Sequence, residues 1–438
     1  MKAEEAIRAG IGKLQKELEL YPGLWEVFGQ CFMNTIETTV RQTTEDTFII
    51  TGDICAMWLR DSTAQVLHYL RFADNEAVAQ MIEGLISRQA DCVLRDPYAN
   101  AFNKEPSDYK PYDDTPRASD WVWERKYEID SLCYPLWLAE KYYDKTGRTE
   151  FLNEKFAQSM RRIVEVLRKE QCHEKSTYRF ERTNCPPGDT LTNGGKGEPV
   201  AYTGMTWSGF RPSDDACKYG YLIPSNLFAV RALKSAQKLA KLLGDDALAQ
   251  EALKLGREIA DGVEKYGVIE HPQYGKIYAY EVDGLGNVNL MDDANVPSLL
   301  SLPYLEVCGS EDEVYKNTRS FVLSADNPYY YEGRLAQGIG SPHTPEGYIW
   351  PISLCVQGMT STDVDEMADI LNILITTHAG TGFMHESFNP DEPEQYTRSW
   401  FAWANSMFGE FLFRLYEKGL LRPVLCRANE KAQREKQV

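Results

Sequence analysis

Histidine is scarce in this sequence, with six residues at 68, 173, 271, 343, 378 and 385, and none falls in an HExxH or comparable ligand spacing. A zinc site is therefore not expected. A basic stripe is also missing. Against 65 Asp and Glu stand only 47 Lys and Arg, a formal charge of −18, which argues against nucleic acid and anionic membrane surfaces as partners. No apolar run approaches the length of a membrane span. The opening MKAEEAIRAGIGKLQKELEL is a charged amphipathic helix without the apolar region of a signal peptide. Walker A, GxGxxG and GxSxG elements are absent, so no nucleotide cofactor or serine nucleophile is expected. Ten cysteines include no CxxC pair, and most lie in apolar helical stretches as reduced, buried thiols do. These exclusions leave a cytoplasmic protein with no cofactor and no metal, whose acidic surface is indifferent to a neutral ligand such as a sugar.

What is present is helix. Hydrophobic residues make up 43% of the chain and aromatics 12%, ample for a large buried core. Apolar residues recur at i, i+3, i+4 and i+7 over 122–145, 151–170, 226–244 and 399–419. Short polar turns at 21–23, 73–77, 145–150, 244–247, 309–313 and 359–363 each read as a tight helix–helix connection. Between these hairpins lie six long stretches rich in Gly, Pro and aromatics, at about 39–60, 98–123, 173–223, 267–296, 326–349 and 380–398. Long loops in a compact domain are usually functional. Hairpins with short turns at one end and long loops at the other close into a toroid, so the expected fold is all-α. It is a single (α/α)6 barrel over 1–438 with one supernumerary terminal helix and a polar C-terminal tail from about 420. An open solenoid is disfavoured by the long loops and by the lack of a fixed repeat length. STYRFER and KIYAYEV carry the short patterns of small strands within the loops.

Three loops hold candidate chemistry. The first, 200–226, gathers Tyr202, Trp207, Phe210, Tyr219 and Tyr221 around Arg211, Asp214 and Asp215. Aromatic faces suit the C–H faces of sugar rings, while Arg and Asp bond hydroxyls directionally. An isolated SDD reads as a capped turn, but among so many aromatics in a long loop the functional reading is favoured. Adjacent carboxylates, with Trp207 and Phe210 nearby, are expected to raise the Asp214 pKa as a general acid requires. The second loop, 380–398, sets Glu386 beside His385 in a glycine-rich stretch, where it serves equally as a water-activating base or as a salt-bridged loop residue. The third, TGDICAMWLRDSTAQV (51–66), places Trp58, Arg60 and Asp61 ahead of a helix, with Asp61 or Ser62 as its cap or Arg60–Asp61 as a grip on vicinal hydroxyls. GIGSPHTPEGYIWP (338–351) adds His343 in a rigid frame. NLMDDANVPSLL (289–300) adds Asp292, Asp293 and Asn295, which lack EF-hand spacing, so N-capping is favoured there.

GDICAMWLRDSTAQV, SGFRPSDDACKYGYLIPSN, MDDANVPSLLSLPYL, GIGSPHTP and FMHESF together closely resemble glycoside hydrolase family 125, over about residues 25 to 418. The resemblance implies an (α/α)6 barrel and an exo-acting α-mannosidase that prefers α-1,6 links, inverts the anomeric centre and needs no catalytic metal. It also implies an acid in RPSDDA and a base in HES. Carried onto this chain, these are Asp214 as acid, with Asp215 in reserve, and Glu386 as base. Trp58, Arg60, Asp61, Trp207, Arg211, Asp215, Asp292, Asn295, His343 and His385 are the expected sugar contacts. Two other readings stand beside this one. A sugar epimerase or isomerase on the same barrel would use His343 and His385, and a non-catalytic glycan-binding protein would survive loss of both carboxylates.

Overall fold

A computed structural model describes residues 1–435. Its longer helices, in chain order, are α1 (Ala3–Ile11), α2 (Leu24–Asn34), α3 (Leu59–Leu67), α4 (Glu76–Arg95), α5 (Ile129–Thr146), α6 (Glu154–Lys169), α7 (Ile223–Leu242), α8 (Asp246–Gly262), α9 (Glu313–Val322), α10 (Pro351–Thr360), α11 (Val364–Thr376), α12 (Ala402–Glu417) and α13 (Leu421–Glu435).

Burial sorts these helices into two rings. All of α3 is buried, and so are α10 apart from Gln357 and most of α5 and α12. A helix covered all round belongs in the interior. By contrast α6 buries only a stripe running through Phe156, Met160, Ile163, Val164 and Leu167. The inner helices pack in sequence: α3 against α5 and α12, α5 against α7, and α10 against α12. Where a fourth inner helix belongs, residues 291–305 are buried almost without a break but form only turns. From that segment Tyr304 reaches Trp137 of α5 and Met407 of α12. The architecture is the expected (α/α)6 barrel with one inner position irregular.

The sixth helix pair differs from expectation. The turn at 21–23 follows a four-residue helix, Gln15–Leu18, rather than a barrel helix. Instead α2 packs against α12, so the ring closes between the two ends of the chain. Two terminal helices lie outside the ring, α1 against α2 and α4, and α13 against α11. The stretch from 420 expected as a polar tail is thus a packed helix, with Leu421, Val424, Leu425 and Ala428 buried.

Helix starts follow the same division. Five outer helices begin with a side-chain cap: Asn75 for α4, Asn153 for α6, Asp245 for α8, Asp312 for α9 and Asp363 for α11. Each cap contributes about 1 kcal/mol. The inner helices α3, α5, α7, α10 and α12 have no side-chain cap. Loop backbone serves them instead, as when Leu59 N–H donates to the Asn100 carbonyl (3.1 Å), Ile223 N–H to Tyr280 (2.8 Å) and Ala402 N–H to Thr51 (3.0 Å). The positive ends of the inner helices therefore converge where the long loops meet.

Those loops carry small antiparallel sheets. Met57–Trp58 pairs with Ala101–Phe102, which pairs with Val122–Glu124, and Ser387–Phe388 pairs with Tyr396–Thr397. The strands expected in STYRFER and KIYAYEV are present as Glu181–Arg182, Gly275–Tyr278 and Glu281–Val282. The helix expected over 122–145 begins only at Ile129, because 122–124 is taken into a sheet.

Candidate active site

The loop mouth leads into a cavity of about 310 Å³, near the small end for ligand pockets. Trp58, Tyr112, Trp350, Phe401 and Trp403 give it apolar walls, and Asp61, Asp214, Glu386, Arg398, Asn295 and His343 line it with polar groups. Among the described residues no group of three or more His, Cys, Asp or Glu is arranged to hold a metal ion.

At its base lies one buried guanidinium. Arg60, in the first turn of α3, donates through Nη1 to Glu128 (2.6 Å) and Asp130 (3.0 Å) and through Nη2 to Asp214 (3.1 Å), with Asp61 at 3.6 Å from Nε. Neither Asp61 nor Ser62 caps α3. Trp58 occupies the cap position without a side-chain bond, and Ser62 donates to the Leu59 carbonyl. Asp61 is left facing the cavity, and burial pushes its carboxyl up to about 6 against the pull of Arg60.

Asp214 sits in a tight turn with φ +68, a left-handed conformation that Asp tolerates better than most residues. Lys126 Nζ holds its carbonyl at 2.7 Å, while Asn100 Nδ2 donates to its carboxylate at 3.3 Å. The expected rise in its pKa is not found. Burial pushes upward, but Arg60, a hydrogen bond to Glu128, Lys126 and His343 together hold the carboxyl below the usual range. The groups expected to raise it are turned elsewhere: Trp207 is off the cavity, and Asp215 faces His343 (3.4 Å) and the Ser213 hydroxyl (2.9 Å). His343 itself loses from burial but gains more from Asp215, Glu386 and Asp214, and is pushed up to about 9.

Glu386 enters from the opposite loop, just ahead of the strand Ser387–Phe388. It is buried, with Arg398 Nη1 3.5 Å from its Oε1, and Arg398 is braced in turn by Asp53. The site thus joins residues from α3, the SDD turn, the 338–350 loop and the HES loop. Trp58, Arg60, Asp61, Asn295 and His343 line the cavity, as do both candidate catalytic carboxylates, Asp214 and Glu386. Asp215 reaches it only through His343.

Besides Asp215, four expected sugar contacts lie off the lining. Trp207 is buried and stacked on His173 at 3.5 Å, with Gly220 so close that a Cβ there would stand 2.1 Å from the indole nitrogen. Arg211 turns away to Glu281 (2.7 Å), tying the SDD turn to the Glu281–Val282 strand. Asp292 accepts from the backbone of Leu299 (2.8 Å) and Leu300 (2.9 Å) and burial raises it to about 8, but the N-cap expected there is not formed, because 291–305 makes turns rather than a helix. His385 stacks on Tyr396 at 3.6 Å behind Glu386. Sequence reasoning missed Glu124, Lys126, Arg182, Arg398 and Trp403, all on the lining, and Glu128 and Asp130 beneath it.

Paired carboxylates in an aromatic-walled pocket at the mouth of a helical toroid define a glycoside hydrolase of the (α/α)6 type. Within that class the chain belongs to glycoside hydrolase family 125, the metal-independent α-mannosidases, which it matches over residues 22–413. It is 45% identical to an α-mannosidase of Streptococcus pneumoniae solved as a non-productive complex with α-1,6-mannobiose, with a TM-score of 0.91, covering 96% of this chain and 98% of that one. The Meiotically up-regulated gene 157 protein of Schizosaccharomyces pombe is 39% identical over 93% of this chain and 84% of its own length. A bacterial glucoamylase complexed with acarbose, 12% identical with a TM-score of 0.61 over 95% of this chain and 60% of that one, shares the fold.

Proposed function

We propose that the protein removes non-reducing terminal α-1,6-linked mannose, as found in N-glycan fragments, by single displacement, with Asp214 as acid and Glu386 as base. The observation that carries this is the meeting of those two carboxylates, from loops far apart in sequence, in one small aromatic-walled cavity. The mannobiose complex of the streptococcal relative supports the linkage. A pocket of about 310 Å³ suits trimming of a chain end rather than cleavage within a long chain. Asp61 and Asn295 are placed to bond hydroxyls of the terminal sugar, with Trp58 and Trp403 offering apolar faces. The cluster of carboxylates also suits a transition state with positive charge at the anomeric carbon. The epimerase reading loses support, because His385 is buried against Tyr396 and does not share the cavity with His343.

Early-time proton NMR of an α-1,6-mannobiose digest tests the assignment. β-Mannose should appear first and equilibrate only afterwards. Initial α-mannose, or a trapped glycosyl-enzyme, makes Glu386 a nucleophile and overturns its role as base. Turnover of the same substrate should also be unchanged after exhaustive dialysis against EDTA; loss restored by Ca²⁺ or Zn²⁺ would contradict a reaction carried by carboxylates alone.

A further inference from the structure

Resting on that reading, the geometry beneath Asp214 raises a question about its proton. An acid must arrive protonated, yet this carboxyl lies against two cations, Arg60 (3.1 Å) and the Lys126 that holds its carbonyl. Beside it is a second carboxyl with no access to substrate. Glu128, at the N-terminus of α5, is 1% exposed, whereas the Asp214 side chain is 22% exposed and lines the cavity. The two are set against each other by shared donors. Arg60 bonds Glu128 through Nη1 (2.6 Å) and Asp214 through Nη2, and Asn100 Nδ2 reaches Glu128 Oε1 (3.2 Å) and Asp214 Oδ1 (3.3 Å).

We propose that Glu128 is a positioning residue that stores the proton Asp214 delivers to the leaving oxygen. Two carboxyls gathered by the same Arg60 and Asn100 donors in a buried site hold one proton between them, because ionising both crowds like charges together. Around Glu128 stand Arg60 and Asp61 from α3, Asp130 and the Ser131 hydroxyl (2.9 Å) on its own helix, Glu124 and Lys126 on the segment leading into it, and Asp214. Burial holds Glu128 well above the usual range, opposed by Arg60, with Asp214 and Asp130 adding to the rise, and we place the pair's resting proton on this more deeply buried member. As the glycosidic C–O bond breaks, that proton moves from Glu128 to Asp214 while Asp214 protonates the departing oxygen. Meanwhile the water oxygen bonds to the anomeric carbon and gives its proton to Glu386. After product release Glu386 returns its proton to solvent and the Glu128–Asp214 pair takes one up, so the balance is hydrolysis alone.

Glu128→Gln keeps the side chain's size and an acceptor oxygen for Arg60 and Ser131, loses the bond from Asn100, and stores no transferable proton. It should lower kcat on α-1,6-mannobiose by about 10²-fold with little change in KM, while 2,4-dinitrophenyl α-mannoside, whose leaving group needs no proton, keeps most of its turnover. The basic limb of its kcat–pH profile should also move toward acid, since Asp214 beside Arg60 and Lys126 then ionises without its partner. Glu128→Asp should restore part of the mannobiose rate and serves as the readout where Glu128→Gln does not fold. An unshifted basic limb, or equal losses on both substrates, overturns the assignment. Asp214→Asn run in parallel separates the two readings. If Asp214→Asn shows the leaving-group split and Glu128→Gln does not, only the storage role fails; if Asp214→Asn shows no split, the acid reading fails and the storage role with it.

Discussion

Glu386→Gln should reduce turnover by about 10²–10⁴-fold on every α-mannoside, whether its leaving group is good or poor. The amide keeps the shape of the side chain, and its surroundings are rigid. Arg398 sits 3.5 Å from Glu386 and is pinned to Asp53, while His385 and Tyr396 stack behind the loop. What the variant lacks is a group that accepts a proton from water, and attack on the anomeric carbon needs that step whatever departs from the other side. Asp214→Asn should behave differently, losing a similar factor on mannobiose but far less on 2,4-dinitrophenyl α-mannoside. Glu386→Gln should keep the wild-type unfolding midpoint to within a degree or two, since the swap is nearly isosteric, whereas Asp214→Asn also gives up the charge that compensates Arg60 and should unfold at a lower temperature. Near-normal rates for Glu386→Gln on either substrate would remove it from the chemistry, and equal losses by Asp214→Asn on both would remove its role as proton donor.

The expected residues that line the cavity share a property: their motifs lie in or beside long loops and leave few directions to face. Arg60 and Asp61 stand in the first turn of a helix that is buried throughout, and that turn opens on the cavity. Errors arose where direction depends on distant partners. Arg211 is three residues from Asp214 but turns to Glu281, and a tight turn has no repeat from which to read that orientation. Trp207 lies in the aromatic cluster expected to wall the pocket, yet its ring fills the space between His173 and Gly220.

Misses have local causes too. Glu124, Lys126 and Glu128 were absorbed into a helix expected from 122, because three successive charges at 124–126 hide the two-residue period that shows only in the burial of Val122, Glu124 and Lys126. Trp403 reads as core on a buried helix, and only its place at the mouth-facing end of α12 puts it on the lining. The barrel was legible because its hairpins have short, Asn- or Asp-capped turns. The pairing of α2 with α12 was not, because nothing local links residues at opposite ends of a chain.

Arg60→Met should be the most destabilising single change at the site. The guanidinium is 3% exposed and bonds Glu128, Asp130 and Asp214, with Asp61 beside it. Removing one partner from a buried charge cluster costs about 3–5 kcal/mol, because the remaining charges lose compensation without regaining water. The pH dependence has a definite sign. In the wild type Asp214 is held below its unfolded pKa, so it contributes stability above that value and loses it as pH falls through the folded one. Without Arg60 the opposing pull on Asp214, Asp130 and Glu128 disappears, and burial raises all three folded pKa values. Below the unfolded carboxyl range, about 4, these groups are protonated in both states and the variant's deficit is smallest. Above it, the unfolded chain ionises freely while the folded variant must either keep its protons or bury unpaired charge, so the deficit grows toward neutral pH. Urea midpoints at pH 4.5 and 7 should therefore separate from wild type much further at the higher pH. A deficit that is equal at both values would show that Arg60 acts through packing, against Trp403 for instance, rather than by compensating the carboxylates beneath the site.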